Sequence, residues 1–318
     1  MNILVIQNRM GIGDMVIFLP FIKAISEKYD SPVTILVKES TKIKEYSNHL
    51  KYIKKIIYLK RDSKNDLHSG LSGFFNLKKE IEFNSFDKAF IFNSSLRYKL
   101  ICKLIGIKNI YQYPLFEKKE QHLIKAAQRL LEKINLKVES NPQIEIDENS
   151  IKQAKQSLSI SNNKINILLG IGGSGPSKRI PADKFKKFIN FALQDYECIF
   201  YLATGKNEEE QKILSEIYNS KFKEKCYPLD NLSIAETLPI IKNCNISICN
   251  DTGFAHLSSA LGVKTITLMA DTPLIYGSYS SNMYPIIPDD ETTVTHDTLG
   301  KDKINPEKIF NKFVSLIN

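Results

Sequence analysis

Twice along the chain, short apolar runs rich in β-branched and aromatic residues alternate with helix-length stretches. This order constrains the fold more than any other feature. In the first half the strand-like runs are NILVIQ (2–7), PVTILV (32–37), KIIYL (55–59), DKAFIF (87–92) and NIYQY (109–113). The stretches GDMVIFLPFIKAISEKY, STKIKEYSNHLK and LRYKLICKLIG read as helices between them, and HLIKAAQRLLEKINL (122–136) is the clearest amphipathic helix. A second series follows: INILLGIG (165–172), CIFYLATG (198–205), KCYPL (225–229), ISICN (246–250) and KTITLM (264–269). A βαβα order implies a parallel sheet with helices on both faces. The predicted fold class is therefore α/β, with two doubly wound, Rossmann-like domains. Between the series lies a polar, strand-free stretch in which ENSIKQAKQSL reads as a short helix and SISNNK as a linker. Domains over 1–158 and 159–318 are expected, the last helix packing back on the first. Open α/β sheets bind ligands outside the carboxyl ends of their strands, so two such domains facing one another would hold a ligand in the cleft between them.

Several function classes drop out. No apolar run approaches the roughly 18 residues of a membrane span, and the short apolar run at the N-terminus reads as a strand, with no basic n-region of a signal peptide before it. Cys102, Cys198, Cys226, Cys244 and Cys249 form no CxxC pair and lie in or beside apolar segments. They read as buried thiols of a cytoplasmic protein. The 44 Lys and Arg against 35 Asp and Glu leave a formal charge of +9. That excess suits anionic partners: a nucleotide, a phosphorylated glycan or an anionic membrane face. Much of it is lysine scattered over helix faces, which solvation alone accounts for. The densest patch, KYIKKIIYLKRDSK (51–64), is accompanied by no nucleic-acid-binding motif, and no nucleic acid is expected as a partner. DxD, HExxH, GxxxxGK[ST] and GxSxG are all lacking, and five scattered histidines with unpaired cysteines do not compose a metal site. No metal or cofactor is expected.

Four loops at strand ends carry candidate chemistry. The first, QNRMGIGD, brings Gly11, Gly13 and Asp14 to the end of strand one. Glycines let the backbone turn tightly there, and Asp14 suits either a helix cap or a chemical role. In the second, Gly170, Gly172 and Gly175 match GxGxxG, but Pro176 and Pro181 break the helix that should open from a dinucleotide fingerprint. An NAD-dependent oxidoreductase is disfavoured accordingly. What remains is a Gly/Ser loop before Lys178 and Arg179, either a phosphate cradle or an exposed loop. The third, ATGKNEEE, offers Glu208, Glu209 and Glu210 to ribose hydroxyls or to a helix dipole. The fourth, ICNDTGFAHLSSALG (248–262), runs from a strand into a small-residue helix. Its Thr252 and Gly253 amides would form an anion site at a helix N-terminus. His256, about one turn on, reaches the same anion. Asp251 would cap the helix or accept bonds from sugar hydroxyls.

Together these residues resemble glycosyltransferase family 9, the heptosyltransferases of the lipopolysaccharide inner core. GIGDMVIFLPFIKAI is similar to the family's GD-x5-P opening, and NDTGFAHLSSALGVKTITLMADTPLIYGSY to its DTGxxHLxxALG signature and the region after it. The resemblance implies the GT-B fold, metal-independent transfer with inversion, ADP-heptose as donor and an anionic glycolipid acceptor, at or near the inner face of the inner membrane. It implies Asp14, beside Gly13, as the general base and Lys178 as the charge that stabilises the leaving diphosphate. It further implies Ser174 at a phosphate, Glu209 at the ribose, Leu232 against the adenine, and Asp251, Thr252, Gly253 and His256 around sugar and diphosphate. Ile180 stands where the family's K-x-W-P usually has tryptophan. The alternatives are a transferase using another nucleotide-sugar, a GT-B-like sugar-nucleotide epimerase or hydrolase, and a non-catalytic nucleotide-sugar-binding module.

Overall fold

The computed structural model describes residues 1–115 and 123–318. The chain divides into two compact units, Met1–Pro142 and Gln143–Asn318.

The first unit is built on a five-stranded, all-parallel sheet in the order β3-β2-β1-β4-β5. Its strands are β1 (Ile3–Ile6), β2 (Val33–Val37), β3 (Ile53–Tyr58), β4 (Lys88–Ile91) and β5 (Asn109–Gln112). Its helices are α1 (Ile12–Lys28), α2 (Gly70–Glu82), α3 (Leu96–Leu104) and α4 (Leu123–Glu132); His122, at the start of the predicted helix over 122–136, lies outside the described residues. Helix α1 is buried nearly all round, with Met15, Val16, Ile17, Phe18, Leu19, Phe21, Ile22 and Ile25 inside. A helix this apolar packs into a core over most of its length, and its exposed charges, Lys23, Glu27 and Lys28, lie toward its C-terminal end. Its start depends on Gly11, whose φ of 92° lies where side chains are strained.

The helix predicted from STKIKEYSNHLK is replaced by two single 3₁₀ turns, Glu39–Thr41 and Ile43–Glu45. Ile43, Tyr46 and Leu50 are all buried. Lys42 is left-handed at φ 52°, and side-chain bonds from Thr41 Oγ1 to the Lys38 carbonyl and from Tyr46 O–H to the Thr41 carbonyl take the place of helical ones.

The second unit carries a six-stranded parallel sheet, β11-β10-β9-β6-β7-β8. Helix α5 (Glu148–Ser157) opens it, and β6 (Ile165–Gly170), α6 (Ala182–Asp195), β7 (Cys198–Ala203), α7 (Glu208–Tyr218) and β8 (Cys226–Pro228) follow. Then come α8 (Ile234–Lys242), β9 (Ile246–Asn250), α9 (Gly253–Ala260), β10 (Lys264–Leu268), β11 (Met283–Ile286) and α10 (Pro306–Ile317). The edge strand β11 is the one the pattern missed, because Pro285 cannot donate to a ladder and so reads against a strand.

The division at 142/143 lies ahead of the predicted 158/159. Polar composition hid the reason: α5 packs on α8, the Ile144 N–H donates to the Ala260 carbonyl, and Asn243 Nδ2 donates to the Ile151 carbonyl. Helix α10 belongs to this unit too. Its Phe313 meets Phe188 of α6 edge-on at 5.7 Å, inside a core that also holds Phe185, Phe200 and Ile180. Burying each such side chain stabilises the fold by at most roughly 2–3 kcal/mol. All five cysteines are buried, and burial pushes the thiols of Cys102, Cys198, Cys226 and Cys249 up to about 12. They stay protonated and act as small apolar side chains.

Candidate active site

In each sheet the chain reverses direction beside its first strand. In the second unit it builds outward through β6, β7 and β8, then returns to place β9 on the other side of β6. The loops after β6 and β9 therefore flank the switch point, where doubly wound sheets open a crevice at their strand ends. Lys178 lies on the first of these loops and Asp251 on the second.

The second-unit site is a chain of four side chains. Asp251 is 8% exposed, and its Oδ2 lies 2.6 Å from Lys178 Nζ. Its Oδ1 lies 3.7 Å from His256 Nε2. On the far side of the imidazole, Nδ1 is 2.8 Å from the Tyr279 hydroxyl, and the two rings stack with centroids 5.6 Å apart. Burial pushes the Asp251 carboxyl up, but the His256 side chain and the Lys178 ammonium outweigh it and hold the group well below the usual carboxylate range. Burial, then the Asp251 charge, raises the Tyr279 phenol, so it keeps its proton. Either ring nitrogen of His256 thus has a polar neighbour, the Tyr279 hydroxyl at Nδ1 and the Asp251 carboxylate at Nε2.

The N-cap of α9 is Thr252, and the Asp251 carboxylate is turned to Lys178 and His256 instead of capping the helix. Thr252 makes no side-chain cap either; its Oγ1 is buried with no hydrogen-bond partner among the described residues. First-turn amides of a helix have no intrahelical acceptor, so Gly253 opens a helix end suited to an anion.

The glycine loop is held from behind. Asn250 Nδ2 donates to the carbonyls of Ile171 and Gly172 at 2.9 and 3.0 Å, and the Gly173 N–H donates to Glu210 Oε1 at 2.7 Å. A Cβ at Gly172 or Gly205 would overlap the Glu210 carboxylate, and one at Gly170 would come within 2.6 Å of Cys249 Sγ. These glycines provide close approach of the backbone to buried groups, and none of the three has a positive φ. The loop leads through a 3₁₀ turn (Pro176–Lys178) before α6 begins, as Pro176 and Pro181 require.

The other predicted residues fall at the same strand ends in looser settings. Ser174 is exposed on the glycine loop, and Leu232 is partly exposed beyond β8. Glu209 is 67% exposed and pairs with Arg179, whose Nε donates to the Gly173 carbonyl. Its neighbour Glu210 is the buried acid. Pattern reading missed Tyr279 and Asn250, and did not separate Glu210 from its neighbours. Tyr279 closes the stretch that begins at Asn250, and Glu210 is one of three consecutive acids that sequence alone does not separate.

In the first unit the switch point lies between β1 and β4. Asp14 is the third residue of α1, one place after Gly13, so it is a first-turn residue; its Oδ2 lies 3.2 Å from Arg9 Nε. At this edge a cavity of about 480 Å³ is lined by Arg9, Asn93, Tyr113, Arg129 and Lys133, with Phe18 and Phe92 on its apolar side. No acid lines it among the described residues. Tyr113 O–H and Asn93 Nδ2 are buried without a partner among the described residues, and burial raises the Tyr113 phenol.

Among the described residues no group of three or more His, Cys, Asp or Glu is placed to hold a metal ion, and no helix is long and apolar enough to cross a membrane.

Two parallel, doubly wound sheets, one with a charged side-chain cluster at its switch point, define a two-unit α/β protein of the Rossmann-like type. The model of glycosyltransferase family 9 (heptosyltransferase) matches residues 107–296. The chain belongs to that family, and is by membership a glycosyltransferase. It is 26% identical over 275 residues to lipooligosaccharide heptosyltransferase 2 of Campylobacter jejuni subsp. jejuni, covering 82% of this chain and 79% of that one. Among solved structures it is similar to the glycosyl transferase family 9 protein of Veillonella parvula (TM-score 0.80, 19% identity, 99% of this chain and 97% of that one). It is also similar to the ADP-heptose lps heptosyltransferase II of E. coli (TM-score 0.74, 16% identity, 100% and 98%). Those likenesses establish the GT-B fold.

Proposed function

We propose that this chain transfers a heptose from ADP-heptose, with inversion, to an anionic core sugar of a lipopolysaccharide or lipooligosaccharide. The observation that carries the donor half is the Lys178–Asp251–His256–Tyr279 chain beside the open N-terminus of α9. A diphosphate arriving there meets helix amides, the Lys178 ammonium, the His256 ring and the Thr252 hydroxyl, which has no partner among the described residues. Lys178 exchanges Asp251 for the diphosphate, and preorganised donors of this kind act where negative charge develops on the leaving group. Asp251 is then released to accept from sugar hydroxyls.

The acceptor half is assigned to the first unit. Asp14 takes the proton of the attacking hydroxyl as general base, oriented by Arg9. The cavity at the same strand ends, with Arg9, Arg129 and Lys133 and no acid lining it among the described residues, takes the acceptor's anionic sugar, and its aromatic wall takes a ring face. Tyr113 O–H and Asn93 Nδ2, without partners among the described residues, bond to sugar oxygens.

The test is calorimetric titration with ADP, UDP and GDP in chelator, followed by a transfer assay with ADP-heptose and a lipid-linked core acceptor. Metal-free preference for ADP and acceptor-dependent release of ADP support the reading. Preference for UDP or GDP would replace the donor, and ADP release without acceptor would point to hydrolysis.

A further inference from the structure

The first unit presents a second surface that the transfer reaction does not use. The connections β3 to β4 and β4 to β5 run in the same direction along the sheet, whereas β1 to β2 runs in the opposite one. Right-handed crossovers therefore put α2 and α3 together on one face and α1 on the other. Both helices pin their inner sides to the sheet, α2 through Gly73, Leu77 and Ile81, α3 through Tyr98, Ile101 and Cys102. They are also fastened to one another: Arg97 donates to the carbonyls of His68 and Gly70 at 2.8 and 3.0 Å, with its guanidinium 5.4 Å from the Phe74 ring centre.

Their outer sides are where an ordinary surface helix would be polar. On α2, Leu71 (83% exposed) and Phe75 (61%) stand one turn apart, with Leu67 ahead of the helix and Phe83 (87%) just after it. On α3, Leu96, Leu100 and Leu104 make an exposed stripe at a strict four-residue spacing. Single exposed leucines need no explanation, but two adjacent helices that each carry exposed Leu or Phe do. Lysines flank both stripes: Lys79 and Lys78, the latter paired with Glu82, beside Phe75, and Lys99 and Lys103 between the leucines of α3. From residue 88 to residue 115 the chain has five Lys or Arg and no Asp or Glu.

We propose that the α2–α3 face lies on the surface of a bilayer containing anionic phospholipid. Exposed Leu and Phe enter the boundary between headgroups and acyl chains, while lysines on the same face meet the lipid phosphates with their stems along the apolar zone. The cations of α3 select this occupant over a second copy paired α3 on α3, which would set cations against cations; on α2, Glu80 and Glu82 offset Lys78 and Lys79, so the net charge of the face comes from α3. The inference is independent of which sugar is transferred.

The test is co-sedimentation of the full-length protein with vesicles of phosphatidylcholine alone and of phosphatidylcholine mixed with phosphatidylglycerol. Wild type should partition onto the anionic vesicles at least tenfold more strongly, and less so as salt is raised, since each cation near such a surface contributes about fivefold. Combined Leu71→Asp, Phe75→Asp and Leu100→Asp should lower partitioning at least tenfold, and so should Lys99→Glu with Lys103→Glu. All five positions lie outside the buried core, and unchanged urea midpoints confirm folding. Equal binding to both vesicle types, no binding by wild type, or variants that bind as wild type would overturn the proposal. So would a wild-type dimer in sedimentation equilibrium that the aspartate variants dissociate.

Discussion

The two switch points solve the same problem in opposite ways. In the second unit the site is electrically closed: Lys178 and Asp251 neutralise one another within 2.6 Å, and an imidazole and a phenol extend the contact. In the first unit the cavity is open, with three cations on its wall, no acid lining it among the described residues, and two buried polar atoms left without partners there. A self-satisfied site suits a ligand of fixed chemistry for which it must rearrange by one exchange. A cationic cavity with orphaned donors suits a ligand that brings its own negative charge.

Mutations can break or sharpen that contrast. Asp14→Asn should lower kcat by about 10²–10⁴-fold while leaving calorimetric ADP binding unchanged, because a general base acts on the acceptor alone. Loss of ADP affinity in that variant would remove Asp14 from the acceptor half. Lys178→Ala should lower kcat by about 10²–10³-fold and weaken ADP as well. Arg129→Ala and Lys133→Ala should raise the KM for acceptor by roughly tenfold each, as expected for lost charge-assisted hydrogen bonds of about 1.5–3 kcal/mol partly screened by solvent. Their KM for donor should stay the same; a donor effect would mean the cavity serves the wrong substrate.

The closed site also makes a prediction about pH. The folded-state pKa of Asp251 lies below its unfolded value, so the stability it contributes is present above about pH 4 and is lost as pH falls below that. Urea unfolding of wild type should therefore exceed that of Asp251→Asn by about 2 kcal/mol at pH 7, and the gap should shrink at pH 3. A gap independent of pH would mean that the carboxylate charge is not what the pair contributes. The smallest effects separate two neighbouring acids. Glu210→Gln should lower stability by about 1–2 kcal/mol, because the Gly173 N–H loses a charged acceptor. Glu209→Gln should leave stability unchanged and shift ADP affinity only a few-fold.

The contrast also explains what could be read in advance. Strand and helix order was legible because most buried strands are short β-branched runs, and the second-unit cluster was partly legible because Asp251, Thr252, Gly253 and His256 lie close together at the start of a single helix. Tyr279 joins them from the β10–β11 loop, and only the folded sheet brings it to His256. The cavity gathers Arg9, Asn93, Tyr113 and Arg129 from four separate segments, so no local pattern announces it. Glu209 and Glu210 share a composition and a helix start; which one turns inward is decided by the space that Gly172 and Gly205 leave. The domain boundary was misplaced for a related reason: the polar helix α5 buries no residue fully, and backbone bonds such as Ile144 to Ala260 bind this segment to the second unit.

The Lys178–Asp251 contact has a consequence for turnover. In the proposed reaction the spent nucleotide leaves a lysine behind, and a stranded cation would cling to it. Asp251 offers that lysine a resting partner at the instant of departure, so the leaving product competes with an acid fixed within the site. The same pair that must open for the donor to bind closes again as ADP leaves, so it lowers the affinity of the site for both and keeps the spent nucleotide from being held by an unpaired lysine.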